Sequence, residues 1–186
     1  MLEALAHETR EGSHLAVREL DRAVVIARVD GSRPLRVVQR VGDPRPLPCA
    51  AIGKVLLAFM PDGDRQALLA RLRFTRNTPR TLADRPSLEK NLRQVRANGY
   101  ATDDEEFALG VRCVAAPVFA PAGRVVAAVG VLGPVVRFTR GQLPEFVERV
   151  KDAGRRRSRT LAGGSPSRAG AVSERGRVRP AARRAP

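Results

Sequence analysis

The chain contains no tryptophan, one tyrosine and six phenylalanines, so aromatics make up only 4% of its 186 residues. A core built from it must rest on Val, Leu, Ala and Ile. The same scarcity leaves few rings on which nucleobases or sugars could stack. Histidine and cysteine occur twice each. Neither a C-x-x-C nor an H-x-x-x-H spacing is present, which removes the usual zinc frameworks. Cys49 and Cys113 are too few for a disulfide scaffold. Both stand in apolar runs and are expected as buried, reduced thiols. No G-x-S-x-G elbow occurs, and His7 and His14 lie far upstream of Cys113. Nucleophilic catalysis by a Cys–His pair therefore has little support, and the chain reads as a non-enzyme without cofactor or metal. No apolar run approaches the ~18 residues of a membrane span. The opening MLEALAHETREG lacks the basic-then-apolar layout of a secretory signal. The expectation is a cytoplasmic protein without membrane contact.

What is present suits one domain with a tail. Hydrophobic residues make up 43% of the chain, enough for a substantial core. The formal charge of +15 points at first to nucleic acid, but it is unevenly placed. Residues 151–186 hold eleven Lys or Arg against Asp152 and Glu174, a balance of +9, which leaves +6 on the rest. From residue 163 the text is rich in Gly, Pro, Ser, Ala and Arg without apolar periodicity. Such a segment cannot bury enough surface to offset its ordering entropy. Residues 1–162 are thus expected as the folded domain and 163–186 as a disordered basic tail. That tail could hold nucleic acid nonspecifically or be passive.

Residues 2–7 read as the end of a helix. Residues 14–19 and 23–29 are β-rich runs joined by a polar turn at Asp21, a hairpin signal. Residues 35–40, LRVVQR, read as a third strand, after which DPRPLP at 43–48 breaks the sheet. Helices are expected over 50–60, from Pro61 and Asp62 through Leu72, and over 87–98. In the last of these Leu88, Leu92 and Val95 fall on one stripe and Asn98-Gly99 supplies a left-handed stop. Strands follow at 100–102, 111–119 and 124–132, the last two joined by Pro121-Ala122-Gly123. RVVAAVGVL is apolar on both faces and should be central. Thr139 and Gln142 form a capping-box pattern before a final helix. Short hairpin links favour an α+β domain with an antiparallel sheet flanked by helices. No strand leads through a Gly-rich turn into a crossover helix, which argues against a dinucleotide fold.

The densest chemistry lies in YATDDEEFALGVRCVAAPVF at 100–119. Four consecutive acids could hold a metal, act as acid and base, orient a ligand or only cap a turn. They lack calcium-loop spacing, and neighbours on an extended segment point to opposite sides, so at most two share a pocket. Cys113 and its apolar neighbours could line a small cavity. The helix beginning near Ala50 could close the opposite wall, its free N–H groups at Ala51, Ile52 and Gly53 facing an anion. That helix start could equally be solvated or capped.

Five blocks together resemble the effector-binding domain of IclR-type transcriptional regulators. They are HLAVRELDRAVVIARVDGSRPLRVVQRVG at 14–42, LPCAAIGKVLLAFMP at 47–61, NTPRT at 77–81, VRANGYATDDEEFALGVRCVAAPVF at 95–119 and GRVVAAVGVLGP at 123–134. The resemblance spans about residues 1–162. It implies a GAF-like domain with a curved antiparallel sheet, dimers or tetramers, and a pocket for a small organic or aromatic acid. Carried over by position, ligand contacts fall on Ala51, Ile52, Asp103 and Cys113. Two further positions, often serine in the family, are Gly130 and Leu132 here. Their replacement implies a less polar pocket than in glyoxylate- or pyruvate-responding members. Phe107 would add apolar surface if it turns inward. Family members read DNA through an N-terminal winged helix-turn-helix. Here the chain starts in the linker helix, so DNA contact is expected only through a domain this sequence lacks.

Overall fold

The computed structural model describes residues 1–163. The expected basic tail, apart from Gly163, lies outside the described residues. The element order is α1 (Leu2–Thr9), β1 (Gly12–Glu19), β2 (Arg22–Val29), β3 (Pro44–Pro46), α2 (Ala51–Ala58), α3 (Asp62–Arg71), α4 (Arg85–Asn98), β4 (Ala101–Asp104), β5 (Val111–Phe119), β6 (Val125–Pro134) and α5 (Leu143–Gly163). The strands form one curled antiparallel sheet in the order β3-β2-β1-β6-β5-β4. This is the helix-flanked, GAF-like α+β arrangement expected from the sequence.

The period-2 pattern of the strands creates two cores. On one face Ala16, Ala115, Ala128, Cys113 and Leu132 pack under α2, α3 and α4, with Val55, Leu57, Leu88 and Leu92. On the other face Val114, Val118, Val129 and Val131 pack under α1 and α5, with Leu5, Phe138, Phe146 and Val150. Each fully buried side chain of this size contributes roughly 1.5–3 kcal/mol. β6 is buried on both sides over 127–134 and lies between β1 and β5, as its two-sided apolar text requires. Gly154 lets α5 approach the sheet closely, since a Cβ there would stand 2.6 Å from the Pro117 carbonyl oxygen.

Local signals set several boundaries. Asp84 caps α4 by accepting the Ser87 N–H at 2.8 Å, and Gly99 ends it at φ 79°. Gly123 at φ 75° turns β5 into β6. The Gln142 side chain accepts the Thr139 N–H at 3.1 Å before α5.

The segment 35–40 departs from expectation. It forms no strand, and Leu35 and Val38 are exposed. The edge beside β2 is taken instead by Pro44–Pro46, the stretch expected to break the sheet. Pro is tolerated on an edge because one side of the strand needs no ladder donor. The 35–40 run has the strand composition, but composition alone does not make a strand. It crosses the α2 end of the molecule instead, with the Gln39 carbonyl accepting from the Arg28 guanidinium.

Candidate functional site

A cavity of about 200 Å3 lies at the N-terminal end of α2. This falls below the ~300–1,000 Å3 typical of pockets for drug-sized molecules, which suits a smaller ligand. Its walls come from distant parts of the sequence: His14 on β1, Val37 and Gln39 on the crossing segment, Arg45 on β3, Ala51 and Ile52 on α2, Asp103, Phe107 and Cys113 around the β4–β5 turn, and Leu132 on β6.

Register explains the assembly. Asp103 pairs with Cys113, Cys113 with Leu132, and Leu132 with Gly12, so one row of side chains crosses the sheet on the α2 face. The next row brings Gly130 opposite His14. Five of the six sequence-derived positions, Ala51, Ile52, Asp103, Cys113 and Leu132, thus border one cavity. Gly130 does not. It lies beneath the imidazole, where a Cβ would come within 2.8 Å of His14 Nε2 and 2.9 Å of the Val114 carbonyl oxygen.

The start of α2 is held close to the preceding turn. Ala50 is the N-cap and carries no side-chain cap, so the first N–H groups stay available. Gly53 is required here, because a Cβ would fall 2.5 Å from Leu47 Cα and 2.6 Å from its carbonyl oxygen. The Arg45 guanidinium lies 5.0 Å from the Phe107 ring centroid, adding a cation and an aromatic face. An uncapped helix N-terminus beside a cation favours an anion.

The four acids divide their work. Asp103 is buried, and its Oδ1 accepts the N–H groups of Glu106 at 2.7 Å and Phe107 at 3.2 Å. Burial first, then the Glu106 charge, pushes the Asp103 carboxyl up to about 7. Asp104 turns the other way. Against desolvation, hydrogen bonds from Arg112 and Arg140 hold it below the usual carboxylate range. Glu105 sits at φ 62°, a left-handed conformation costing about 1–3 kcal/mol. It is pinned by Arg80 at 2.7 Å and by the Gly110 N–H at 2.8 Å. Glu106 turns inward and pairs with Lys54, which is wholly buried on α2. Burial raises the Glu106 carboxyl despite that partner. The NTPRT motif supports the turn: Thr78 and Thr81 hydroxyls donate to the Glu105 and Glu106 carbonyl oxygens at 2.7 and 2.6 Å. Strand alternation turns Asp103 inward and the bend that starts at Glu105 turns Glu106 inward as well, so two of the four acids face inward, one to the cavity and one to Lys54.

The lining is mostly apolar, with Val37, Ile52, Phe107 and Leu132 among it, and His14, Gln39 and Arg45 bring polar groups that no motif singled out. Their signal was only the alternation that turns residue 14 to the α2 face. His14 Nε2 stands 3.9 Å from Cys113 Sγ. This closeness does not make a nucleophile. Burial and then the Arg45 charge lower the imidazole to about 4, and burial raises the Cys113 thiol well above its ordinary value. Both groups are neutral at pH 7, the opposite of an activated thiolate–imidazolium pair. Cys49, also buried, is pushed up to about 11 by burial and accepts from Asn77 Nδ2 at 3.3 Å. Among the described residues no group of three or more His, Cys, Asp or Glu is placed to hold a metal. No helix among them is long and apolar enough to cross a membrane.

A curled antiparallel sheet flanked by helices, with a small cavity at a helix N-terminus, defines a GAF-like α+β domain. The family profile described as bacterial transcriptional regulator IclR C-terminal matches residues 1–159, and the chain belongs to that family. The chain is 37% identical over 160 residues to the HTH-type transcriptional regulator XynR of Escherichia coli K12, covering 86% of this chain and 64% of XynR. It is 37% identical over 152 residues to KdgR of the same strain, covering 82% of this chain and 58% of KdgR. The crystal structure of the C-terminal domain of E. coli KdgR superposes with a TM-score of 0.78 at 34% identity, covering 87% of this chain and 93% of that domain. The chain thus spans less than two thirds of these two curated regulators. The relatives named here are transcriptional regulators rather than enzymes.

Proposed function

We propose that this domain senses a small organic or aromatic acid in the cavity at the start of α2, and self-associates as a dimer or tetramer. The observation that carries this reading is the convergence of Ala51, Ile52, Asp103, Cys113 and Leu132 on one cavity whose wall holds an uncapped helix N-terminus. The acid group sits against the Ala51 and Ile52 N–H groups and Arg45. Phe107, Val37 and Leu132 enclose the apolar body. Asp103, protonated near neutrality, donates to the bound acid. In a complete regulator the sensed state would pass to a DNA-binding domain preceding α1.

Calorimetric titration of the chain with a panel of aliphatic and aromatic carboxylates tests this reading. Binding of at least one carboxylate is expected, with the melting transition raised by about 2.7 kcal/mol of added stability at a hundredfold excess over Kd. Asp103→Asn and Cys113→Ala should each weaken that ligand about tenfold while the variants still fold. No response to any carboxylate would remove the proposal.

A further inference from the structure

We infer that the domain holds a second small-molecule site, at the opposite end of α2 from the effector cavity, which takes a carboxylate carrying a medium-length apolar body. It lies where the C-terminal half of α5 passes the end of β5, and it stands independently of the effector site proposed above.

A cavity of about 330 Å3 lies there, inside the ~300–1,000 Å3 range of pockets for small organic molecules. It exists because β4 stops early. The last β4–β5 pair is Ala101 with Ala115, so among the described residues β5 past Ala115 has no strand beside it on that edge. Phe59, at the C-cap of α2, and Phe119 wall the gap, their rings edge to face with centroids 5.3 Å apart. Ala116 and Pro117 add an apolar floor. This cavity shares no lining residue with the one at the α2 N-terminus.

The rim is cationic. Lys151, Arg155 and Arg159 recur every four residues, so they share one side of α5 and border the opening together. The Lys151 stem lies over the end of α4, its Cε 3.7 Å from where a Cβ on Gly99 would stand. Pairing within the helix compensates these charges weakly. Lys151 reaches Glu148, and Arg155 reaches Asp152, only at 3.8 Å, while Arg156 holds Asp152 more closely at 2.9 Å. Long, exposed contacts of this kind are worth little. An apolar floor under three cations fits an anion with an apolar body: the carboxylate pairs with the rim and the hydrocarbon covers Phe59, Phe119 and Pro117. A pairing peptide strand does not fit. Pro117 carries no N–H, and the Phe119 N–H already donates to Ser158 Oγ at 2.8 Å, which in turn donates to the Gly154 carbonyl oxygen at 2.8 Å. The chain's own residues 164–186 hold six Arg against Glu174, charge of the same sign as the rim.

Calorimetric titration of the full chain with three probes tests this: octanoate, its uncharged counterpart octanamide, and butyrate, which is too short to cover the apolar floor. Octanoate should bind about tenfold tighter than either of the others. The combined variant Lys151→Gln, Arg155→Gln, Arg159→Gln should weaken octanoate about tenfold, and Arg159→Glu alone should act in the same direction. The same binding event should survive in Asp103→Asn, which alters the effector cavity. Octanoate binding that is lost in Asp103→Asn and unmoved by both α5 variants places the probe in the effector cavity, which overturns this inference and leaves the effector site standing. Octanamide binding as tightly as octanoate overturns the role of the cations. No octanoate binding at all overturns the inference, whether the chain's own terminal residues cover the cavity or nothing does, and the carboxylate panel above judges the effector site separately. Sedimentation velocity on the same proteins covers the remaining occupant. An oligomeric state that shifts in the α5 variants while octanoate affinity stays unchanged would make this face a contact between copies and overturn the site. Arg159→Glu alone decides the comparison if the combined variant fails to fold.

Discussion

Asp103 and His14 share one cavity but respond to protons in opposite directions. Asp103 is raised from an ordinary 3.8 to about 7 by burial and Glu106. Its contribution to stability is present below about pH 4 and is lost as pH rises through about 7. His14 is lowered from 6.5 to about 4 by burial and Arg45. Its contribution is present above about pH 6.5 and is lost as pH falls through about 4. Between roughly pH 4 and 6.5 the two slopes oppose one another. Asp103→Asn removes one, so stability of that variant should rise with pH across this window. His14→Phe removes the other, so stability should fall across it. Denaturant titrations at half-unit pH steps read both slopes, and parallel profiles for the two variants would contradict the assignment. Sequence made Asp103 visible through its motif. It gave no reason to single out His14, whose partner Cys113 lies 99 positions away.

Glycine shows how the same residue acts differently in two helices. Gly53 in α2 faces the Leu47 backbone, where a Cβ would clash at 2.5 Å. Gly53→Ala should therefore destabilise the domain by about 1–3 kcal/mol, the usual overpacking cost, despite the better helix propensity of Ala. Gly63 in α3 meets nothing within 4 Å. Gly63→Ala should stabilise by up to about 1 kcal/mol. Paired urea unfolding curves check the opposite signs. The turn after β4 is tied to α2 by the wholly buried Lys54 and the partly buried Glu106. Lys54→Met alone strands the Glu106 charge and should cost about 3–5 kcal/mol, whereas Lys54→Met with Glu106→Leu should recover most of it. A double-mutant cycle measures that coupling. The helices and the β1–β2 and β5–β6 hairpins were legible because caps, turns and apolar stripes act over a few residues. The 35–40 segment was not, since strand-like composition does not say whether a run finds a partner, and Pro44–Pro46 is what pairs with β2.

The two cores share one sheet, and β1, β5 and β6 contribute side chains to both. Loss of either core exposes the strands that support the other, so the domain should unfold as one cooperative unit. Differential scanning calorimetry should show a single transition, and a bound carboxylate should move the whole of it rather than one shoulder. Two separable transitions would mean that the α2–α4 layer melts independently of the α1–α5 layer.

The sequence by itself determined the elements, their antiparallel connections and the family, because propensity, capping and hydrophobic period are local and the motif blocks recur in order. It also named Ala51, Ile52, Asp103, Cys113 and Leu132 of the cavity wall, since those residues sit within recognisable blocks. Only the tertiary structure decided what else meets them. Sheet register brought His14 over Gly130 and against Cys113. A strand-like run stayed off the sheet and became the segment that carries Gln39 to the cavity. The bend at Glu105 brought Glu106 inward beside Asp103, and burial then raised both carboxyls. These outcomes depend on distances between residues far apart in the chain, and no local pattern encodes such distances.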